Sequence, residues 1–359
     1  MSWPNSTTYT QVPCVSEAQT CLAQVQDGGG VEAPSWEEAA TGVKPPPSTE
    51  EADHTDFERG LQNYAFTFLE TNFLEDVVKP KCDKSRLALL LSQGDGAGSA
   101  WLRAVPSEKA FELSPLRLQV AVRRRLRWPL PLSKGVCCRS CLKDLDVLGD
   151  RAAACPTAGR LAKRARPVEK SWARVLREGG ARVRENVELR EATLAAVDPN
   201  DGRRVEIVAS GLPLSQGVPL AVDATVVSPL HADGTPFARA HFHRGSTFHR
   251  AEKSKRDTYP ELVGSSVLRL KTVACEVGGR FNKEAKTLVT QLAEAKARSE
   301  VRVLRSSATR VWQNRWFTLL SVSVQNALAS TLVNEGTSFA SSDGFAPPAV
   351  DVCLGAQIA

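Results

Sequence analysis

The stretch RRVEIVASGLPLSQGVPLAVDATVV, residues 203–227, decides the fold. Two apolar runs of strand length flank GLPLSQG, a segment whose glycines and proline favour a turn over any regular element. Successive side chains of a strand point to opposite faces. In 203–208, Val205 and Ile207 therefore face one way and Glu206 the other. In 220–227, Val222, Ala224 and Val226 oppose Asp223 and Thr225. A carboxylate inside an apolar strand is costly unless it is paired, solvated or bound to a cation. Two of them on neighbouring strands of a meander could share one divalent ion, and oxygen donors of this kind suit Mg²⁺ or Mn²⁺. The bland alternative makes Glu206 a surface residue of an edge strand and lets Asp223 pair with Arg203 or Arg204. Were a metal held there, the matching chemistry would be phosphodiester hydrolysis. The ion would lower the pKa of its bound water, and a lysine from the following basic run (Lys253, Lys255, Arg256) would steady the developing charge.

Working outward, apolar spacing switches between a period of 3.6 and a period of 2. Leu161, Ala165, Val168, Trp172, Val175 and Leu176 predict a helix over 161–178, stopped by Gly179 and Gly180. Strands are expected at 182–189, 203–209 and 219–227, a helix within 246–263, a strand at 266–277 and a helix over 283–299. A last long helix is expected over 304–333, and upstream helices over 57–78 and 114–128. From 161 the order is helix, three strands, helix, strand, helix, which is a mixed α/β class.

The chain has 359 residues, with 42% hydrophobic and 24% charged. These proportions exclude a collagenous, coiled-coil or wholly disordered protein. The apolar runs, Leu87 to Leu91 among them, fall far short of a membrane span, and the polar start MSWPNSTTYT lacks the pattern of a signal peptide. The expectation is a soluble, intracellular protein with no membrane partner. Charge is uneven. Residues 1–60 set ten acidic side chains against Lys44 and Arg59, whereas residues 103–190 carry 21 Lys and Arg against 9 Asp and Glu. That basic block, densest at Arg123, Arg124, Arg125 and Arg127, would attract a polyanion through its phosphates, DNA first and RNA as a further partner. A solvated face balanced by the acidic N-terminus is the competing reading. Cys137, Cys138, Cys141 and Cys155 cluster as metal ligands do. Yet Cys138, Cys141 and Cys155 supply three thiolates where a structural Zn²⁺ needs four ligands, and buried reduced thiols are the alternative.

Several motifs fall in a telling order: GAGSAWLRA (96–104), LDVLGDRAAACP (145–156), ARPVEKSW (165–172), RRVEIVASGLPL (203–214), LAVDATVVSPL (220–230), TYPEL (258–262) and ACEVGGRF (274–281). Together they resemble the region downstream of reverse transcriptase in non-LTR retroelement polyproteins, a restriction-like endonuclease of the PD-(D/E)xK superfamily. The resemblance covers about residues 92–333. It implies a restriction-endonuclease-like core (helix, three strands, helix, strand) with helical N- and C-terminal additions. The implied divisions are an acidic disordered leader at 1–56, a basic helical region at 57–133, a degenerate zinc knuckle at 134–160, the endonuclease-like domain at 161–300, a C-terminal helix at 301–335 and a disordered tail at 336–359.

It also implies a metal-dependent, DNA-cleaving activity in the nucleus. Glu206 and Asp223 match the two acidic metal ligands, Lys255 the catalytic lysine, and Tyr259 stands just beyond it. The pattern departs from the superfamily at Val205, where proline is usual, and at Thr225, where lysine is usual, so Lys255 represents a lysine moved to the following helix. In the resembled family a histidine follows GlyAsp before the last cysteine. Here that position is Arg151, which cannot bind Zn²⁺. No stretch resembles the Tyr/Phe-x-Asp-Asp site of a polymerase palm. Three readings stay open: a metal-dependent endonuclease, a non-catalytic nucleic-acid binder, and a retroelement fragment without a role of its own.

Overall fold

A computed structural model describes residues 75, 78–130, 142, 144–155, 158–192, 197, 198 and 200–333. The chain divides between Asp83 and Lys84 into two compact units. Of the first unit, the helical turn Lys79–Lys81 is described. The acidic leader, nearly all of the 57–78 helix, Cys137, Cys138, Cys141 and the tail lie outside the described residues.

The second unit carries the architecture. Its elements are α1 (Lys84–Leu91), α2 (Pro115–Arg125), α3 (Asp150–Ala154), α4 (Ala158–Glu178), β1 (Arg182–Glu188), β2 (Arg204–Ser210), β3 (Leu220–Val227), α5 (Phe248–Thr258), β4 (Arg269–Glu276), α6 (Lys283–Ala297) and α7 (Arg305–Val333). From α4 onward the order is the one the periodicities predict. The four strands form one mixed sheet in chain order. β1 pairs antiparallel with β2, β2 antiparallel with β3, and β3 parallel with β4. A parallel neighbour cannot be reached by a tight turn, so the chain crosses over through α5.

The alternation along β2 and β3 sorts the two sheet faces. Ile207, Ala209, Val222, Ala224, Val226, Val273 and Cys275 turn toward α4, α6 and α7. There they share a core with Trp172, Leu176, Leu288, Leu292, Trp316 and Leu320. Ala274 on the opposite face packs with Phe248 and Ala251 of α5. A second small cluster joins Val205 and Ala221 to Tyr259, Leu262 and Leu268 at the end of that crossover.

The boundaries expected at 133, 160 and 300 do not divide this core. Ala88 and Leu89 of α1, Phe111, Ala153 of α3 and the apolar stripe of α7 all belong to the same buried cluster as the sheet. α7 is therefore part of the domain rather than an appendage, because Trp316, Leu319, Leu320, Val324 and Leu328 have no other place to leave water. α1 was legible only as a short apolar run, five residues being too few to reveal a period.

Local chemistry fixes the element ends. α4 stops in a Schellman turn: Gly180 takes φ +98°, Ala181 N–H donates to the Leu176 carbonyl, and Gly180 N–H to that of Arg177. Asn282 caps α6 by accepting from Ala285 N–H, and it also accepts from Ala274 N–H of β4 and donates to the Thr272 carbonyl. The upstream segment is locked to the end of β4 by backbone contact, since a Cβ at Gly98 would lie 2.0 Å from the Gly279 carbonyl oxygen. The motifs GAGSAWLRA and ACEVGGRF thus meet through glycines that leave no room for side chains.

Candidate active site

β2 and β3 pair with Ile207 opposite Val222 and Val208 opposite Ala221. Extending that register by one residue sets Glu206 beside Asp223, both on the sheet face toward α5. Glu206 reaches across to β3 and accepts a hydrogen bond from the Ala224 N–H at 2.6 Å. About two turns into α5, Lys255 extends over the pair. Its Nζ lies 2.5 Å from Asp223 Oδ1 and 3.6 Å from Glu206 Oε1. The bland alternative from the sequence does not hold. β2 is an interior strand, Arg203 pairs with Asp201 and Glu261, and Arg204 pairs with Glu188.

Asp223 is the unusual member. It is 0% exposed, and neither carboxylate oxygen accepts a hydrogen bond among the described residues. Two donors nevertheless stand close to it: the Lys255 ammonium at 2.5 Å from Oδ1 and the Tyr259 hydroxyl, which also acts on this carboxylate. Glu206 responds to the same surroundings. Burial, then the charge of Asp223, pushes its carboxyl up to about 8, against the pull of Lys255. Lys255 is raised as well. Burial disfavours its charge, but Asp223 and Glu206 outweigh that and raise its pKa.

Tyr259 caps the C-terminus of α5. Its hydroxyl donates to the Arg204 carbonyl at 2.6 Å, which ties α5 to β2 beside the acids. Burial and the charges of Asp223 and Glu206 push its pKa well up, so it remains a neutral donor.

A third carboxylate, overlooked in the sequence, joins this field. Glu169 of α4 is pushed up by burial and then by Asp223, and Lys255 pulls it down. The signal was present in the sequence. Glu169 follows Ala165 by four and precedes Trp172 by three, so it occupies a slot of the helix's apolar stripe, where a carboxylate is out of place.

The donor set can be tested against a hard divalent cation. Two adjacent carboxylates, one of them fully buried, are the oxygen ligands such a cation takes. Among the described residues no three His, Cys, Asp or Glu side chains stand together as a ready-made metal-binding group. Glu206 and Asp223 would accordingly hold the ion with water, Lys255 withdrawing from Asp223.

The expected phosphate-binding arginines have other partners. Arg124 is 9% exposed and donates to the Leu148 and Gly149 carbonyls. Arg127 grips Asp150 with two hydrogen bonds of 2.8 and 2.6 Å, and Arg123 donates to the Pro129 carbonyl. The charges of Arg124 and Arg127 are offset by Asp150 and by backbone carbonyls at the start of α3, a pairing across more than twenty residues, while Arg125 reaches the Ser99 hydroxyl at 3.3 Å and no carboxylate among the described residues. Cys155 is buried. Arg151, at the family's histidine position, donates to the Asp144 carbonyl. His241 and His243 lie on the loop before α5, with His249 in its first turn.

No helix among the described residues is long and apolar enough to cross a membrane. No protein-family model matches the chain, and no curated protein matches it.

Proposed function

We propose that this chain is a metal-dependent endonuclease whose catalytic centre is Asp223, Glu206 and Lys255, hydrolysing phosphodiester bonds of DNA. The observation that carries the reading is Asp223, a fully buried carboxylate facing a second acid and a lysine whose Nζ is 2.5 Å away. The sheet supports it: the order helix, three antiparallel strands, crossover helix, parallel strand is similar to the restriction-endonuclease-like core, with both acids on its second and third strands. When bound, Mg²⁺ or Mn²⁺ supplies an acidified water and neutralises charge gathering on the phosphate oxygens.

The chain's own residues do the rest. Asp223, and Glu206 once a bound cation displaces its proton, would supply negative charge on one rigid face, fixed by the β2–β3 register and by the Ala224 N–H. Lys255, displaced from Asp223, offers its ammonium to a phosphate oxygen or to the attacking water, where a positive donor stabilises the transition state. Tyr259 holds α5 against β2, which keeps Lys255 within reach of the acids. A nuclear site of action goes with the proposed substrate.

The runner-up is a nucleic-acid binder that does not cut. One observation favours it: Lys255 sits directly on Asp223, an arrangement that neutralises the buried charge without any metal. Plasmid nicking with Mg²⁺ or Mn²⁺ separates the two. Cleavage by the wild type that falls at least a hundredfold in Asp223→Asn, with DNA binding kept, is the expected result. A wild type that binds DNA and leaves it uncut in both metals establishes the binder.

A further inference from the structure

A concave site in the second unit shares no residue with the acidic centre. Leu89 and Gln93 at the end of α1, Trp101, the basic end of α2, Gly278 after β4 and Gln325 of α7 line a small pocket that is partly open to solvent. Three of the lining residues are arginines: Arg124, Arg125 and Arg127.

Their charges are unevenly compensated. Asp150 pairs closely with Arg127 and lies 3.8 Å from Arg124. Asp146 also acts on Arg124, although its oxygens already accept from the backbone N–H groups of Leu148, Asp150 and Arg151. Arg125 has no carboxylate at all among the described residues; its one hydrogen bond goes to the Ser99 hydroxyl at 3.3 Å. Burial pushes the pKa values of Arg124 and Arg125 down, so these charges are held in the wall at a desolvation cost that an anion would relieve.

Two donors in the same wall are also idle. The indole N–H of Trp101, a residue only 4% exposed, and the Nε–H of Arg127 have no acceptor among the described residues. Buried donors without acceptors are rare in folded proteins.

We infer that this pocket is a phosphate-binding site, taking either free phosphate or the terminal phosphate of a nucleic-acid strand. The chemistry selects a tetrahedral oxyanion. Several acceptor oxygens on one small centre can meet the Arg125 guanidinium, the Arg127 Nε–H and the Trp101 N–H together, and guanidinium forks match phosphate geometry. Gly278 sets the wall's position, because a Cβ there would lie 2.1 Å from Ser92 Oγ and 2.5 Å from its backbone carbon. The inference stands independently of the cleavage reading, since neither Asp223 nor Lys255 takes part.

The test is calorimetric titration of the full chain, without divalent metal. Three probes are used: inorganic phosphate, a short oligonucleotide with a 5′-phosphate, and the same oligonucleotide with a 5′-hydroxyl. Saturable binding of inorganic phosphate or of the phosphorylated strand is expected, and whichever is tighter identifies the source. Arg125→Gln, which strands no carboxylate, should weaken it about tenfold or more. Trp101→Phe, which keeps the ring and deletes the N–H, should weaken it several-fold. Arg310→Gln, an exposed residue of α7 that does not line the pocket, serves as the control and should leave it unchanged. Circular dichroism and melting temperature show that each variant is folded. No saturable binding of either phosphate probe overturns the site. So does equal binding of phosphorylated and hydroxyl strands without competition by phosphate, or affinity unchanged in both folded pocket variants.

Discussion

Asp223 and Lys255 illustrate how one buried pair can serve stability and chemistry in opposite ways. Removing the lysine's charge strands a buried carboxylate whose other neighbours, Glu206 and the Tyr259 hydroxyl, bring no compensating positive charge. Lys255→Met should therefore cost about 3–5 kcal/mol at neutral pH, and adding Asp223→Asn to it should restore most of the loss. Urea titration of the single and double variants measures this, and a single variant within about 1 kcal/mol of wild type would contradict it. Glu206 gives a pH signature. Its folded pKa, up to about 8, lies above the ordinary 4.5, so the folded chain holds a proton that the unfolded chain releases between those values. Stability from this group is complete below about 4.5 and is lost as pH rises toward 8. The wild-type melting temperature should accordingly fall relative to Glu206→Gln across that window without metal. A constant difference would refute the shift. Glu178 behaves in the reverse sense: burial alone would raise it, but Arg315, Arg174 and the Trp316 N–H hold it at about 2. Its contribution is present above the ordinary value and lost only as pH falls toward 2, so the two windows do not overlap.

At the scale of elements, the crossover helix α5 brings the lysine to the acids, and the ends of α4 and α6 hold the sheet in place. Gly180 adopts a left-handed backbone at φ +98° with open space around it. Gly180→Ala should thus cost about 1–2 kcal/mol from backbone strain alone, with an unchanged denaturant slope. Asn282 does more than an ordinary cap, since it bonds Ala285 N–H, Ala274 N–H and the Thr272 carbonyl at once. Asn282→Ala should therefore exceed the ~1 kcal/mol of a simple cap, whereas Ser114→Ala at α2, where the hydroxyl meets only Arg117 N–H at 3.4 Å, should stay below it. Equal losses at the two caps, read from urea midpoints, would remove that distinction.

For the molecule as a whole, one core joins the sheet to α4, α6 and α7. Trp172 and Trp316 are both essentially unexposed in it, and the Trp316 N–H also reaches Glu178 at 2.9 Å. Trp316→Ala should lower stability by about 3–5 kcal/mol. Because α7 and the sheet share this core, the loss should appear in the same cooperative transition that Trp172→Ala lowers. A separate, earlier melting step confined to Trp316→Ala would show α7 to be an independent element.

The sequence by itself determined the strand and helix order from α4 onward, the facing of Glu206 and Asp223 away from the apolar side of their strands, and the stop at Gly179 and Gly180. These are local properties, set by side-chain period and by the backbone tolerance of glycine. It also placed an acid, Glu169, in an apolar stripe where its role could have been read. Tertiary structure alone decided which cation meets Asp223, because Arg203, Arg204 and Lys255 were equally available along the chain and only the turn of α5 selects among them. It alone decided that Arg124 and Arg127 turn inward to Asp150 and the Gly149 carbonyl, and that α7 lies inside the core. Pairings between residues tens of positions apart depend on where whole elements pack, and no period within one element encodes them.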